Sequence, residues 1–191
     1  MEITNEIKAK VFAQYLGHRV ELDNGGSKVR NRILCAVGGI DDGGHEYLKL
    51  KMGTFAHAVF IKENSAKLIL KPLSEITDED AMEVANICNG GDGIKGIHKY
   101  DYKTKDKAKF YIELKGEFED DKNNTLIFFY EDGSFDKFHP NAGEKGEHFD
   151  LSDWQTLNVY QFLQSKGYDI PQYLLGGKTL KECGLAVYEG E

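Results

Sequence analysis

The spacing of apolar residues predicts a helix near the N-terminus. Ile7, Val11 and Tyr15 recur every four residues, which is typical of a helix that buries one face. Thr4 before them is a favourable N-cap, and Gly17 after them suits the end of a helix. We therefore expect a first helix packed by one face on the core.

Two further helices follow from the same pattern. The segment TDEDAMEVANICNGG begins at Thr77, a good N-cap, and places three acidic residues in the first turn, where they favour the helix dipole. A third helix is predicted over residues 152–166, with Trp154, Leu157 and Leu163 among apolar residues on much of its circumference. We expect this third helix to be central and the most buried of the three.

Alternation of apolar and polar residues predicts strands in the rest of the chain. HRVELD and SKVRNRILCAV flank Asn24-Gly25, and TLIFFYE and SFDKF flank Asp132-Gly133, which are both typical pairs of tight hairpin turns. EYLKLKM, FAHAVFI, KLILKPL, AKFYIEL and LAVYE are further strand candidates. A short helix is expected near residues 179–183, and residues 139–150 are polar and irregular.

Together these elements predict an α+β fold. We expect one or more antiparallel sheets with about three helices packed on them. The chain has 191 residues and no Pro-, Ser- or Gln-rich linker, so we expect a single domain over residues 1–191.

The charge of the chain argues against some classes of function. The net charge is −8, which argues against a general nucleic-acid or anionic-membrane binder, because such proteins usually need a positive field. Residues 1–109 carry 17 Lys and Arg against 16 Asp and Glu, whereas residues 110–191 carry 7 against 16. The acidity therefore belongs to the C-terminal half.

The cysteines and the hydropathy pattern bear on the compartment. Cys35, Cys88 and Cys183 are odd in number and widely spaced, so they form neither a disulfide framework nor a zinc ribbon. No apolar run approaches the roughly 18 residues of a membrane span, and the charged start is not typical of a signal peptide. We expect free thiols, no membrane association and a cytoplasmic location.

Four segments carry a resemblance to known sequences: EIKAKVFAQYLGHRV, LILKPLSEITDEDAMEVANI, VYQFLQSKGYDIP and GLAVYE. They resemble uncharacterised small proteins of Bacteroidota bacteria, their prophages and their phages. The resemblance implies a phage or mobile-element context, and hence the cytoplasm of a bacterial host cell. It implies no activity, cofactor or site residue.

Motifs for metals, cofactors and catalysis do not fit. NGGDGIKG lacks the Ser or Thr that follows a P-loop lysine, and it comes after a helix instead of before one. EDDKNNT lacks the glycine and the final glutamate of a calcium loop. His139 and His148 have no zinc spacing, and each cysteine lies in an apolar or helical pattern where thiols are usually inert. We expect no cofactor, no metal and no catalytic residue.

One basic segment, KGIHKYDYKTKDKAKFYIEL, is a candidate binding site. If it is extended, four lysines lie on one face beside two tyrosines, an arrangement that suits an anionic strand: Lys103, Lys105, Lys107 and Lys109. Lysines on an exposed edge strand also prevent edge-to-edge aggregation, and Asp101 and Asp106 weaken the positive field. The protective role is the favoured interpretation, and nucleic acid is not the favoured partner.

The favoured function is a non-catalytic accessory or inhibitory interaction protein of phage or prophage origin. Clustered acids can mimic the phosphate charge of nucleic acid and occupy a basic groove of a host protein, and the candidates are Glu117, Glu119, Asp120 and Asp121. The alternatives are a small hydrolase or nuclease whose site a linear pattern does not reveal, and a virion structural protein. The lack of a catalytic motif favours binding, and the identity of the partner and the oligomeric state stay open.

Overall fold

The structure is a computed structural model. It describes residues 3–23, 25–40, 46–52, 54–61, 65–89, 96–100, 108–115, 125–130, 135–139, 147–149 and 153–190. Within these residues the helices are α1 (Asn5–Ala13), α2 (Asp78–Asn89) and α3 (Asp153–Ser165). The strands are β1 (Arg19–Asp23), β2 (Lys28–Ile40), β3 (Glu46–Met52), β4 (Phe55–Phe60), β5 (Ala66–Pro72), β6 (Gly96–Tyr100), β7 (Ala108–Lys115), β8 (Thr125–Tyr130), β9 (Phe135–His139), β10 (Glu147–Phe149), β11 (Tyr168–Asp169) and β12 (Ala186–Tyr188).

The contacts of the chain group into two units. Unit 1 is Met1–Pro72 with Gln164–Glu191, and unit 2 is Leu73–Leu163. Both contain helix and sheet, so the predicted α+β class is confirmed. The single domain over residues 1–191 stays a prediction. No helix in the described part of the chain is long and apolar enough to cross a membrane.

Unit 1 holds a seven-stranded mixed sheet in the order β11-β5-β1-β2-β3-β4, with β12 also paired to β5. The predicted hairpin joins β1 and β2 as antiparallel neighbours. Asp23 closes the turn, because its Oδ1 accepts a hydrogen bond from the backbone N–H of Gly26 at 2.9 Å. Gly25 and Gly26 adopt positive φ angles of 67° and 101°, which glycine tolerates without steric cost.

The core of unit 1 lies between α1 and one face of this sheet. Thr4 caps α1, since its Oγ1 accepts from the N–H of Ile7 at 3.3 Å, as the sequence predicts. The apolar residues of α1 and the strands bury together: Val11, Phe12, Tyr15, Val20, Leu22, Leu34, Leu48, Leu50, Leu68 and Leu70. In β3, buried Leu48 and Leu50 alternate with exposed Lys49 and Lys51. The face of β3 opposite the core is therefore polar.

Unit 2 holds a five-stranded antiparallel sheet in the order β10-β9-β8-β7-β6. Its helix α2 is capped as predicted, because Thr77 Oγ1 accepts from the N–H of Asp80 at 3.1 Å. Helices α3 and α2 are linked by Gln155, whose Nε2 donates to the carbonyl of Cys88 at 2.8 Å. The turn predicted at Asp132-Gly133 lies outside the described residues, although β8 and β9 pair as expected.

The expectation that α3 is buried around much of its circumference fails at Trp154, which is 68% exposed, and at Leu157, which is 55% exposed. Val159 and Leu163, four residues apart, are fully buried, and Phe162 is half-buried. The helix therefore buries one side and exposes the side of Trp154 and Leu157. A broad apolar circumference does not show which stripe will be covered.

Four short elements also differ from the prediction, β12 only in its parallel pairing. Strand β10 lies in the stretch expected to be irregular and pairs with β9. Residues 179–183 form a turn, closed by the N–H of Cys183 and the carbonyl of Thr179 at 3.2 Å, instead of a helix. Strands β11 and β12 join β5 in parallel, which makes the sheet mixed. Elements of two or three residues are too short to show a period.

Candidate binding surface

The charged residues predicted to bind a partner fall mostly where the structure gives no description. Seven lie outside the described residues: Lys103, Lys105, Lys107, Glu117, Glu119, Asp120 and Asp121. Lys109 lies in β7, whose backbone pairs with β6 and β8. Both the lysine ladder and the acidic surface therefore stay predictions.

Candidate metal ligands and thiols occur in the part of the chain that the structure describes. No group of three or more His, Cys, Asp and Glu side chains there is arranged to hold a metal ion. The three cysteines are free: Cys35 is exposed, Cys88 is buried and Cys183 is partly buried. Cys35 Sγ donates to the carbonyl of Lys49 at 3.0 Å, which joins β2 to β3.

Strand β4 forms one end of the unit 1 sheet. It pairs antiparallel with β3 along its whole length, from Met52↔Phe55 to Tyr47↔Phe60, and β3 is its one strand neighbour among the described residues. An edge strand directs the N–H and C=O groups of alternate residues away from the sheet. In the described part of the chain, no strand covers the outward side of β4.

The composition of β4 is unusual for an edge strand. Its sequence, FAHAVF, contains no acidic residue, lysine, arginine or proline. Phe55 is 75% exposed, Ala56 and Ala58 are exposed, and Val59 is partly buried against the core. Natural edge strands usually carry charges, prolines or bulges that prevent pairing with another chain. Strand β4 has none of the charges or prolines, and its register with β3 is unbroken.

The polar face beside β4 is basic. Lys49 pairs with Ala58 and Lys51 pairs with Ala56, so the two lysines stand next to two alanines of the edge strand. All four side chains are exposed. Because alanine is short, it leaves the long lysine side chains open towards the edge.

Farther along the same face, two cations share one buried acid. Glu21 in β1 is buried, and its carboxylate meets Arg30 Nε at 2.7 Å and Lys28 Nζ at 3.3 Å. Burial opposes ionisation of Glu21, but the hydrogen bonds from Arg30 and Lys28 outweigh it and hold the pKa of Glu21 below its ordinary value. This cluster stabilises the β1–β2 hairpin.

A buried polar network ties α1 to the C-terminal segment. The hydroxyl of Tyr15, fully buried after α1, donates to the carbonyl of Tyr168 at 3.1 Å and accepts from Gln172 Nε2 at 3.3 Å. The same amide also donates to the carbonyl of Ile170 at 3.3 Å. These groups satisfy one another, as buried polar groups must, and their role is to stabilise the fold.

His18 lies next to this network. Its ring meets Tyr15 edge-to-face, with 5.8 Å between the ring centroids. Partial burial lowers the pKa of His18, and it outweighs the hydrogen bond to the backbone of Gln164, which favours the charged form. The positive charge of Lys71 adds to the lowering. His18 is therefore neutral at pH 7, which suits a packing role.

A second buried acid, Asp169, organises the C-terminal turn. Its Oδ1 accepts from the N–H of Leu180 at 2.8 Å, and its Oδ2 accepts from the N–H of Lys181 at 3.0 Å. Burial raises the pKa of Asp169 above its ordinary value, in spite of these bonds and a hydrogen bond with Tyr188. Repulsion from Glu182 acts in the same direction as burial. The carboxylate holds the turn that leads into β12.

No protein-family model, curated protein or solved structure matches this chain.

The sequence predicted a strand at FAHAVFI but did not identify it as a binding surface. The available signal was the lack of charged residues and proline in this segment. A lack of charge and proline suggests a binding surface only in an edge strand, because buried central strands also lack charged residues. The sequence alone does not show that this strand lies at an edge.

Proposed function

We propose that the protein is a non-catalytic interaction protein that binds an extended segment of another protein along β4. The observation that carries this proposal is a strand without Lys, Arg, Asp or Glu at the end of a seven-stranded sheet, in which Phe55, Ala56 and Ala58 are exposed. An extended segment laid beside such an edge gains main-chain hydrogen bonds, and side chains on alternate positions supply specificity.

Phe55 is the expected anchor of this surface. An exposed aromatic next to the edge offers a large apolar area to the partner, and aromatic residues contribute more than most others to binding interfaces. The contact is a single short strand, so its area is small and the affinity is expected to be on the order of micromolar. The complex is therefore expected to be transient.

The resemblance to phage and prophage proteins supports one form of this function, an accessory or inhibitory role towards a host protein. The acidic residues of the C-terminal half are proposed as a second contact region for that host protein, through Glu117, Glu119, Asp120 and Asp121. Their support is the concentration of negative charge in residues 110–191.

Peptides selected from a random library on the immobilised protein test this function. Fluorescence anisotropy would then measure the affinity of the selected peptides for wild type and for two variants. Phe55→Ser should weaken binding by about 1–2 kcal/mol, because it removes the proposed anchor. Tyr173→Ser is the matched control, since Tyr173 is also an exposed aromatic of unit 1, at 85%, and lies outside β4.

The expected result is a loss for Phe55→Ser and none for Tyr173→Ser. Equal affinities of wild type and Phe55→Ser would place the binding surface elsewhere and overturn the proposal.

A further inference from the structure

We infer that the segment bound by β4 alternates acidic with apolar residues, with the acids on the face that carries Lys49 and Lys51. This inference rests on the proposed function and adds the chemistry of the partner. It follows from the register of β3 and β4, the exposure of each face and the charges of the described residues.

The register places the two lysines one strand away from the edge. Lys49 stands opposite Ala58 and Lys51 opposite Ala56, and an added strand would lie on the other side of these alanines. Neighbouring strands are about 4.8 Å apart, so the added strand is two spacings from β3. A lysine carries its charge on a flexible four-carbon stem, which extends across a short alanine towards the next strand.

Among the described residues, no acid forms a salt bridge with either of these two lysines. By contrast, Lys28 and Arg30 on the same face share the carboxylate of Glu21. Opposite charges attract and like charges repel, and two strand spacings lie within the distance of about 10 Å over which charges act at 0.1 M salt. An extended segment with carboxylates at two alternate positions complements the pair, and a segment with lysines there is repelled.

The other face of the edge calls for apolar residues. Phe55 and Val59 share the face of β4 that continues the core, since they pair with Met52 and the buried Leu48. Phe55 is 75% exposed, and Met52, which Arg32 contacts, is 38% exposed, so apolar area remains uncovered there. Successive side chains of the partner point to opposite faces, so apolar residues between the acids would cover this area.

Three capped octapeptides separate the partner chemistries. Each has valine at alternate positions, and the other positions are all glutamate, all serine or all lysine. With wild type at low salt, the glutamate peptide should bind about tenfold tighter than the serine peptide, because two exposed charge pairs contribute, and the lysine peptide should bind weakest. The difference should shrink as salt rises, because salt screens exposed charges.

The double variant Lys49→Ser/Lys51→Ser tests the assignment of the two lysines. It should bring the glutamate and serine peptides to equal affinity while leaving the serine peptide unchanged. Lys10→Ser/Lys178→Ser removes the same charge from exposed positions of unit 1 outside the β3–β4 hairpin, and should keep the preference. A preference that survives loss of Lys49 and Lys51 would overturn the inference.

The remaining outcomes distinguish this inference from the proposed function. If the glutamate and serine peptides bind wild type equally, and alternate N-methylation of the peptide backbone abolishes binding, the inference fails and strand addition stands. If no peptide binds and display yields no other ligand, the proposed function fails. A single-stranded oligonucleotide that binds as tightly as the glutamate peptide and is lost in Lys49→Ser/Lys51→Ser would assign the face to nucleic acid. A stable dimer with β4 protected would assign the edge to a second copy.

Discussion

Removing one hydroxyl group, in Tyr15→Phe, tests the buried network that joins α1 to the C-terminal segment. The substitution keeps the ring in the core, where Tyr15 is fully buried, and removes only the hydroxyl that contacts Tyr168 and Gln172. The carbonyl of Tyr168 then loses a donor. The side-chain amide of Gln172 keeps its bond to Ile170 and loses its other acceptor.

The expected cost follows from the loss of these two buried hydrogen bonds. Leaving a buried donor or acceptor without a partner costs about 1–3 kcal/mol, and a typical buried hydrogen bond contributes about 1 kcal/mol. We therefore expect Tyr15→Phe to lower the free energy of unfolding by about 1–3 kcal/mol. If the hydroxyl made no buried hydrogen bonds, its removal would change the free energy of unfolding by less than about 0.5 kcal/mol, as for most surface substitutions.

Urea denaturation followed by far-UV circular dichroism measures this loss. The method is preferable to tryptophan fluorescence because Trp154 belongs to unit 2, whereas Tyr15 belongs to unit 1. The control is Tyr173→Phe, the same chemical change at a side chain that is 85% exposed, and its midpoint should match wild type. If the two variants have equal midpoints and equal slopes, the buried hydrogen bonds of Tyr15 do not stabilise the fold.

Three further predictions concern unit 1. Gly176→Ala places a Cβ in open space at a φ of 64° and should lower the free energy of unfolding by about 1–2 kcal/mol. Gly167→Ala should lower it further, because its Cβ also lies 3.1 Å from the His18 ring. Urea denaturation measures both losses. Wild type should gain stability relative to Asp169→Asn as pH falls from neutral to below 3.8, because the folded chain holds the Asp169 proton more tightly. Wild type should lose its advantage over Glu21→Gln as pH falls below 4.5, because the pKa of Glu21 is lowered. Unfolding curves at several pH values measure the stability difference between wild type and each variant. If this difference changes with pH in the same direction for Asp169→Asn and Glu21→Gln, one of the two pKa directions is wrong.

Local signals in the sequence were sufficient for the ends of the helices and for the faces of the longer strands. Thr4 and Thr77 act as caps because capping depends on a side chain and an N–H three residues away. The alternation of Leu48 and Leu50 with Lys49 and Lys51 shows which residues of β3 face the core.

Long-range pairing was not available from the sequence. Strand β4 becomes an edge only because β1 pairs with β5 across a long stretch of chain, which places β3 and β4 at the far end. Tyr15 and Tyr168 are 153 residues apart, so nothing local shows that the hydroxyl of one meets the carbonyl of the other. The exposure of Trp154 likewise depends on tertiary packing and not on helical period.

Strand addition to β4 is best tested by amide hydrogen exchange of the protein with and without the glutamate–valine octapeptide. Alternate amides of Phe55–Phe60 should exchange quickly in the free protein and slow down when the peptide is bound, because the outward N–H groups gain partners. Amides of α1 should keep their rates. Binding of the peptide with unchanged exchange along β4 would rule out strand addition.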